Sequence, residues 1–273
     1  MIQMNQSNWC SIKKSTKLST GITIHYVEMG DIALKPLILL HGITDSSRSW
    51  SLLAEKLSEF YHLYILDQRG FGDTDKPNMR IYPTGLYSED IAAFMEALQI
   101  EKALFAGHSM GSFITRIFAI TYPEKVEKLV LISTAVTMAG SSSGEALWQV
   151  VEGFEESPIP MELMDELDAT AVPVDEVFHQ KVKSEAANLP LYVWKSSFLG
   201  LLTDDHSAFL HKIRVPVLII WGELDELFNF DDQCSIRKLL PDAKFISFKE
   251  HGHNVQWENP VMVGKAMAEF FNL

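Results

Sequence analysis

The sequence predicts an α/β protein, a doubly wound, mostly parallel sheet with a helical cap inserted into it. Three observations predict this. Six short, near-continuous apolar runs recur along the chain, the pattern of strands covered on both faces. Stretches with apolar residues three or four apart separate them, as in amphipathic helices. One long interval, 136–212, carries helical patterns but no buried strand.

The chain opens with CSIKKSTKL (10–18) and the alternating GITIHYVEMG (21–30), which read as a hairpin turning near Ser19–Gly21. The apolar runs follow: PLILLH (36–41), HLYILD (62–67), KALFAGH (102–108), KLVLIS (128–133), VPVLIIW (215–221) and AKFISF (243–248). Helices are expected in SRSWSLLAEKLSEF (47–60), in SEDIAAFMEALQI (88–100) with Ser88 as its cap, and in SFITRIFAITY (112–122), which stops at Pro123. A last one, VMVGKAMAEFF (261–271), follows Pro260. Strand, helix, strand, repeated, is the signature of a parallel α/β sheet. Within 136–212, helical patterns around ALWQVVEGF, MELMDELDA, VDEVFHQKVKSEA and LYVWKSSFLGLL are punctuated by Pro158, Pro160, Pro173 and Pro190. That is too much sequence for a crossover and too much pattern for a loop. The expected division is therefore a core of 1–135 and 213–273 with a cap of 136–212.

Composition narrows the function classes. A chain of 273 residues that is 47% hydrophobic can bury a sizeable core. Its formal net charge of −13 argues against a nucleic-acid partner held through phosphates. No apolar run approaches the ~18 residues of a membrane span, and the polar N-terminus lacks a secretory segment. A cytoplasmic protein is expected. Cys10 and Cys234 form no C-x-x-C or Cys/His cluster, so neither a disulfide nor a metal site is expected. No G-x-G-x-x-G follows the first parallel run, which speaks against a dinucleotide cofactor. The expected partner is a small-molecule substrate, with no cofactor, and the chain is equally compatible with a monomer or a homodimer.

The chemistry-bearing stretch is GHSMG (107–111), placed between a strand pattern and a helix pattern. In a strand-to-helix elbow the serine takes a strained backbone conformation and its neighbours must be small. The helix beginning near Met110 aims its N–H groups at the same spot, which suits an oxyanion. A serine hydroxyl needs a base, and the base an orienting acid, in the chain order Ser, Asp or Glu, His. After VPVLIIW, the segment WGELDELF offers Glu223, Asp225 and Glu226; after the last strand pattern, HGHNVQWENP offers His251 and His253.

Together these stretches resemble a capped member of the α/β-hydrolase superfamily over nearly the whole chain. LLHGITDSSRSW is similar to that family's oxyanion loop, DQRGFGDTDKP to its D-x-R-G-x-G-x-S turn, GHSMG to its nucleophile elbow, WGELD to its acid loop and HGHNVQWENP to its histidine loop. The resemblance implies Ser109 as nucleophile, Asp225 (the family's G-x-x-D) as acid, and His253 (its G-H followed by E-x-P) as base. It implies the backbone N–H groups of Ile43 and Met110 as oxyanion donors, a loop-shaping role for His41–Gly42, and a structural role for His108. Asp67 and Arg69 are expected to brace the DQRGFG loop. Family members that use alkyl displacement carry an aspartate where Ser109 stands, so acyl chemistry is implied: hydrolysis of a carboxylic ester or lactone. Two rivals are carbon–carbon hydrolysis of meta-cleavage products and a slow-turnover ligand receptor. For the first, Asn254 and the Thr44–Ser47 stretch depart from the expected Trp and glycines. Specificity is assigned to the cap, where Trp148, Phe154, Phe178, Tyr192, Trp194 and Phe198 are candidates to line an apolar pocket. No Lys or Arg occurs between Lys128 and Lys181, which favours a neutral, hydrophobic substrate over a multiply charged anion.

Overall fold

The structure, a computed structural model, describes residues 6–272. One eight-stranded sheet organises it, in the order β1-β2-β4-β3-β5-β6-β7-β8. The strands are β1 (Lys14–Lys17), β2 (Thr23–Met29), β3 (Pro36–Leu40), β4 (His62–Asp67), β5 (Ala103–His108), β6 (Val126–Ile132), β7 (Val217–Gly222) and β8 (Lys244–Phe248). β1 and β2 pair antiparallel with each other, and β2 with β4; every other pairing is parallel. β4 and β5 through β7 are buried at every position, apart from Glu127 and Lys128 of β6. This explains why their sequences read as unbroken apolar runs rather than alternating ones.

Two apolar layers follow from the alternation of side chains through the sheet. One unites Leu37, Leu39, Ile65, Ala106 and Ile220 with Trp9, Trp50 and Leu53 of α1 (Ser51–Leu57) and with Val263 and Met267 of α10 (Pro260–Asn272). The other unites Ile38, Leu40, Phe105 and Leu131 with α2 (Thr84–Ala97), α3 (Met110–Thr121) and α8 (Phe230–Leu239). Strand order reverses between β3 and β5, whose connections run to opposite sides. In open α/β sheets that reversal opens a crevice at the carboxyl ends of the strands.

Between β6 and β7 the chain forms α4 (Ser142–Glu152), α5 (Met161–Leu167), α6 (Glu176–Ala187), α7 (Leu191–Thr203) and a 3-10 turn over Ser207–Lys212. These helices lie against the sheet-bearing part through specific contacts. Glu185 of α6 meets Arg48 at 2.6 Å, and Tyr82 N–H donates to the Ser196 carbonyl at 3.0 Å. Gly200 sits on the Tyr82 carbonyl so closely that a Cβ would stand 1.9 Å from its oxygen. Phe178 of α6 packs edge-on to Trp257, centroids 5.4 Å apart.

Three sequence expectations shift locally. The helix expected to start at Ser88 starts one turn earlier, at Thr84. Its first turn is satisfied by Asp204, whose carboxylate accepts from Thr84 N (2.6 Å) and Thr84 Oγ1 (2.7 Å). That partner lies 120 residues away, so local pattern could not reveal it; Ser88 is buried, its hydroxyl without a partner. The first strand is shorter than CSIKKSTKL, because Gln6–Ile12 forms a 3-10 turn that seats Trp9 in the core. The helix after β3 begins as a 3-10 turn, Ser47–Trp50. The hairpin turn falls where expected, with Gly21 at φ +92°.

Candidate active site

The elbow at Ser109 is built from three close approaches. Ser109 takes φ +48°, ψ −117°, a region that costs a non-glycine residue about 1–3 kcal/mol. A Cβ at Gly107 would stand 2.2 Å from the Gly111 carbonyl oxygen, and one at Gly111 would stand 2.3 Å from the Leu40 oxygen. Only glycines at both positions let β5, α3 and the end of β3 meet this closely. Met110 is the first residue of α3, so its N–H has no partner within the helix.

The other candidates sit on neighbouring strand ends. After β7, Asp225 is buried and its Oδ1 accepts the N–H groups of Leu227 and Phe228, each at 3.0 Å. Its Oδ2 lies 2.9 Å from His253 Nδ1. The His253 carbonyl oxygen accepts from Ser133 Oγ at 2.6 Å and lies 3.1 Å from His108 Nε2. Glu258 holds the histidine loop from below, accepting from Gly252 N (2.7 Å) and from Ala171 N of the α5–α6 connection (2.8 Å). His251 is turned elsewhere, toward the Lys249 carbonyl and Asn259, and Glu223 bonds the Ser247 hydroxyl. The structure thus brings Asp225 and His253 into contact and leaves Glu223 and His251 with other partners.

The loop after β3 supplies the facing wall. His41 is fully buried, which pushes its imidazole down to about 4 despite its bond to the Gly42 carbonyl. It is neutral, and its Nε2 accepts from Gln68 N–H at 3.0 Å. Asp45 accepts from Ser49 Oγ at 3.1 Å and from Gly42 N–H. Asp67 anchors the next loop, bonding Ser47 N–H (2.7 Å), Asp73 N–H (2.9 Å) and Lys13 (2.6 Å). Arg69 makes a two-pronged ion pair with Asp90, at 2.7 and 2.6 Å.

Ser109, His253 and Ile43 line one cavity of about 100 Å³, together with Gly42, Thr44, Asp45, His108, Leu147, Leu167, Asp168, Trp194, Phe198, Leu227, Asn254 and Trp257. Trp194 and Phe198 stack there with planes 6° apart. Of the six aromatic candidates, only these two belong to the lining. Phe154 stands behind Trp194, edge-on at 5.6 Å. Tyr192 donates to the Lys76 carbonyl, Trp148 packs on the core, and Phe178 packs on Trp257. Their reach depended on which helix face turned inward, and sequence pattern alone did not determine that.

Sequence reasoning missed the polar wall of this cavity. Asp45 is held well above the usual carboxylate range by burial and by the neighbouring Asp168. Asp168 itself is pushed up to about 7 by burial, against the opposing pull of Lys183 and His253. Its Oδ2 is buried without a hydrogen-bond partner, as is His108 Nδ1. A larger open groove of about 780 Å³ lies beside α2, lined by Thr20, Glu89, Glu96, Gln99 and Lys125. It sits at the amino ends of the strands and brings no nucleophile and base together. Among the described residues, no group of three or more His, Cys, Asp or Glu is placed to hold a metal ion, and no helix is long and apolar enough to cross a membrane. Both cysteines are free thiols.

Comparison with known proteins adds a family. A model of the alpha/beta hydrolase fold matches residues 35–170 and 174–260. A Bacillus subtilis (strain 168) protein provisionally named 2-succinyl-6-hydroxy-2,4-cyclohexadiene-1-carboxylate synthase is 30% identical, over 93% of this chain and 96% of its own length. A 2-hydroxy-6-oxononadienedioate/2-hydroxy-6-oxononatrienedioate hydrolase of Paraburkholderia phymatum (strain DSM 17167 / CIP 108236 / LMG 21445 / STM815) is 25% identical, over 92% and 91%. Among solved structures, a bacterial membrane phospholipase A superposes with a TM-score of 0.82 at 26% identity, covering 95% of this chain and 85% of that one.

Proposed function

The chain belongs to the α/β-hydrolase fold family, and from that premise we propose that it is a serine hydrolase cleaving a small carboxylic ester or lactone. The observation that carries this reading is the 2.9 Å contact between Asp225 and His253 at the cavity that Ser109 also lines. Asp225 accepts from Nδ1–H, which leaves Nε2 of His253 as the free base facing the cavity. Ser109 Oγ gives its proton to that nitrogen as it attacks the carbonyl carbon. The N–H groups of Met110 and Ile43 stabilise the oxyanion of the tetrahedral intermediate. His253 then protonates the departing alkoxide, and a water repeats the sequence on the acyl-enzyme.

Residues 136–212 act in this reading as the cap. α5 and α7 close the cavity with Leu167, Asp168, Trp194 and Phe198, which leaves a volume of about 100 Å³. Such a space suits short acyl or alkyl groups. The likeness to a hydrolase of oxononadienedioate-type compounds gives carbon–carbon cleavage as the second reading. Labelling with a fluorophosphonate, followed by a panel of short esters, lactones and a dienone, separates the readings. Labelled Ser109 with ester turnover supports the proposal. Dienone cleavage alone replaces it with the second reading, and labelling without turnover points to a receptor.

A further inference from the structure

Two buried acceptors of residues lining the cavity have no hydrogen-bond partner, His108 Nδ1 and Asp168 Oδ2. His108 is 2% exposed, and its Nε2 lies 3.1 Å from the His253 carbonyl oxygen. A carbonyl only accepts, so the ring's proton sits on Nε2 and Nδ1 is a bare acceptor. Nδ1 has no partner, and Asp45 Oδ2 lies 3.9 Å away, too far for a hydrogen bond. Gly42 keeps both open, since a Cβ there would stand 3.0 Å from Nδ1 and 3.1 Å from Oδ2. On the cap side, Asp168 closes α5 and is held through its carbonyl by His179 (2.9 Å), while its Oδ2 is buried and unpartnered.

Buried acceptors without partners cost about 1–3 kcal/mol each, and a pocket of this size sets them within reach of one small ligand. Its opposite wall is apolar: Leu147, Leu227, Trp194 and Phe198. We propose that the substrate carries a protonated primary amine beside its ester, with the ammonium bound by the Asp168 carboxylate and His108 Nδ1 in the Asp45 corner. An ammonium has three donors and no acceptor, the complement of this wall. It also pairs with the Asp168 carboxylate, whose Oδ2 otherwise has no hydrogen-bond partner. The exposed Glu162 and Glu166 steer a cation toward the cap, while Asp165 is paired with Lys183. The inference rests on the ester-hydrolase reading for its chemistry and on the cavity for its ligand, and it departs from the neutral, hydrophobic substrate expected from the stretch of cap without Lys or Arg.

The test compares isosteric esters: β-alanine methyl ester against methyl butanoate, and 2-aminoethyl acetate against propyl acetate, which place the amine on the acyl or the alkoxy side. In at least one pair the wild-type protein should favour the amine in kcat/KM, and Asp168→Asn should reduce that ratio about tenfold or more, the scale of a charge-assisted bond. Taking the ratio within each variant removes the esters' intrinsic reactivity. Asp168→Asn deletes no protein hydrogen bond of Oδ2, so folding is retained. Calorimetry on Ser109→Ala with the same four esters reads binding without chemistry. If neither amine ester binds more tightly than its isostere, or the preference survives in Asp168→Asn, the inference is overturned. Absent turnover and absent labelling of Ser109 count against the hydrolase reading, and the calorimetric comparison still decides the amine.

Discussion

Asp225→Asn tests the proposed chemistry with little disturbance of the fold. Asp225 is fully buried as a side chain, and its two oxygens have different duties. Oδ1 takes the N–H groups of Leu227 and Phe228 at 3.0 Å, and Oδ2 faces His253 Nδ1 at 2.9 Å. An amide in this place has one acceptor and one donor end. Turning its NH2 toward the two backbone donors would strand both, at about 1–3 kcal/mol apiece. The oxygen therefore stays with the backbone, and the NH2 confronts His253 Nδ1. The imidazole must then accept at Nδ1 and carry its proton on Nε2, which leaves no lone pair for the Ser109 hydroxyl. A wrong-tautomer imidazole of this kind costs about 10⁴ in kcat, or about 5.4 kcal/mol of barrier. Steady-state hydrolysis of p-nitrophenyl acetate, alongside thermal denaturation, measures both quantities. A folded variant that keeps a tenth or more of wild-type kcat refutes the assignment of Asp225 as the orienting acid. Glu223→Gln is the control, because that carboxylate bonds only Ser247 on the surface, and its kcat should stay within about twofold.

Ser109→Gly should abolish turnover and fluorophosphonate labelling yet raise stability, since glycine tolerates φ +48°. Relief of about 1–3 kcal/mol of strain, less ~0.5–1 for glycine's chain entropy, shifts Tm upward by a few degrees; a lower Tm contradicts the strained-elbow account. Gly107→Ala should prevent folding or cost more than ~3 kcal/mol, because its Cβ would overlap the Gly111 carbonyl, as read by urea denaturation. Leu147→Ala removes three carbons from the cavity wall, so the preferred acyl chain should lengthen, and because Leu147 is only half-buried the stability loss should stay below that of a fully buried leucine; an unchanged chain-length profile removes Leu147 from the substrate site. For Asp67, burial opposes ionisation, but Lys13 and the Asp73 and Ser47 bonds outweigh it and hold the carboxyl below its ordinary value. Its stabilising contribution is thus present above the unfolded value of ~3.9 and lost as pH falls through the lower folded one. Lys13→Met removes that advantage, so acid unfolding should begin at higher pH than in the wild type, as circular dichroism through an acid titration will show.

Apolar patterning was enough to read the parallel sheet, because strands buried on both faces must be apolar throughout, as HLYILD and KALFAGH are. The sequence also marked Ser109 as a candidate, since only glycines fit at 107 and 111 and both are written beside it. Resemblance narrowed five candidates for acid and base to Asp225 and His253, which the fold brings into contact. Tertiary structure decided what no local pattern encodes. The first turn of α2 is held by Asp204, 120 residues away, so its start could not be read at Ser88. Four of six cap aromatics face the core or one another rather than the cavity, because an aromatic on a helix reads the same whichever face packs. Asp45, His108 and Asp168 read singly as unremarkable polar residues of loops and strand ends. Their meeting in one cavity, with His108 Nδ1 and Asp168 Oδ2 left unpaired, arises only when α5 folds down over the end of β3. A desolvated polar group is defined by what surrounds it, and that is fixed by packing between segments distant in the chain.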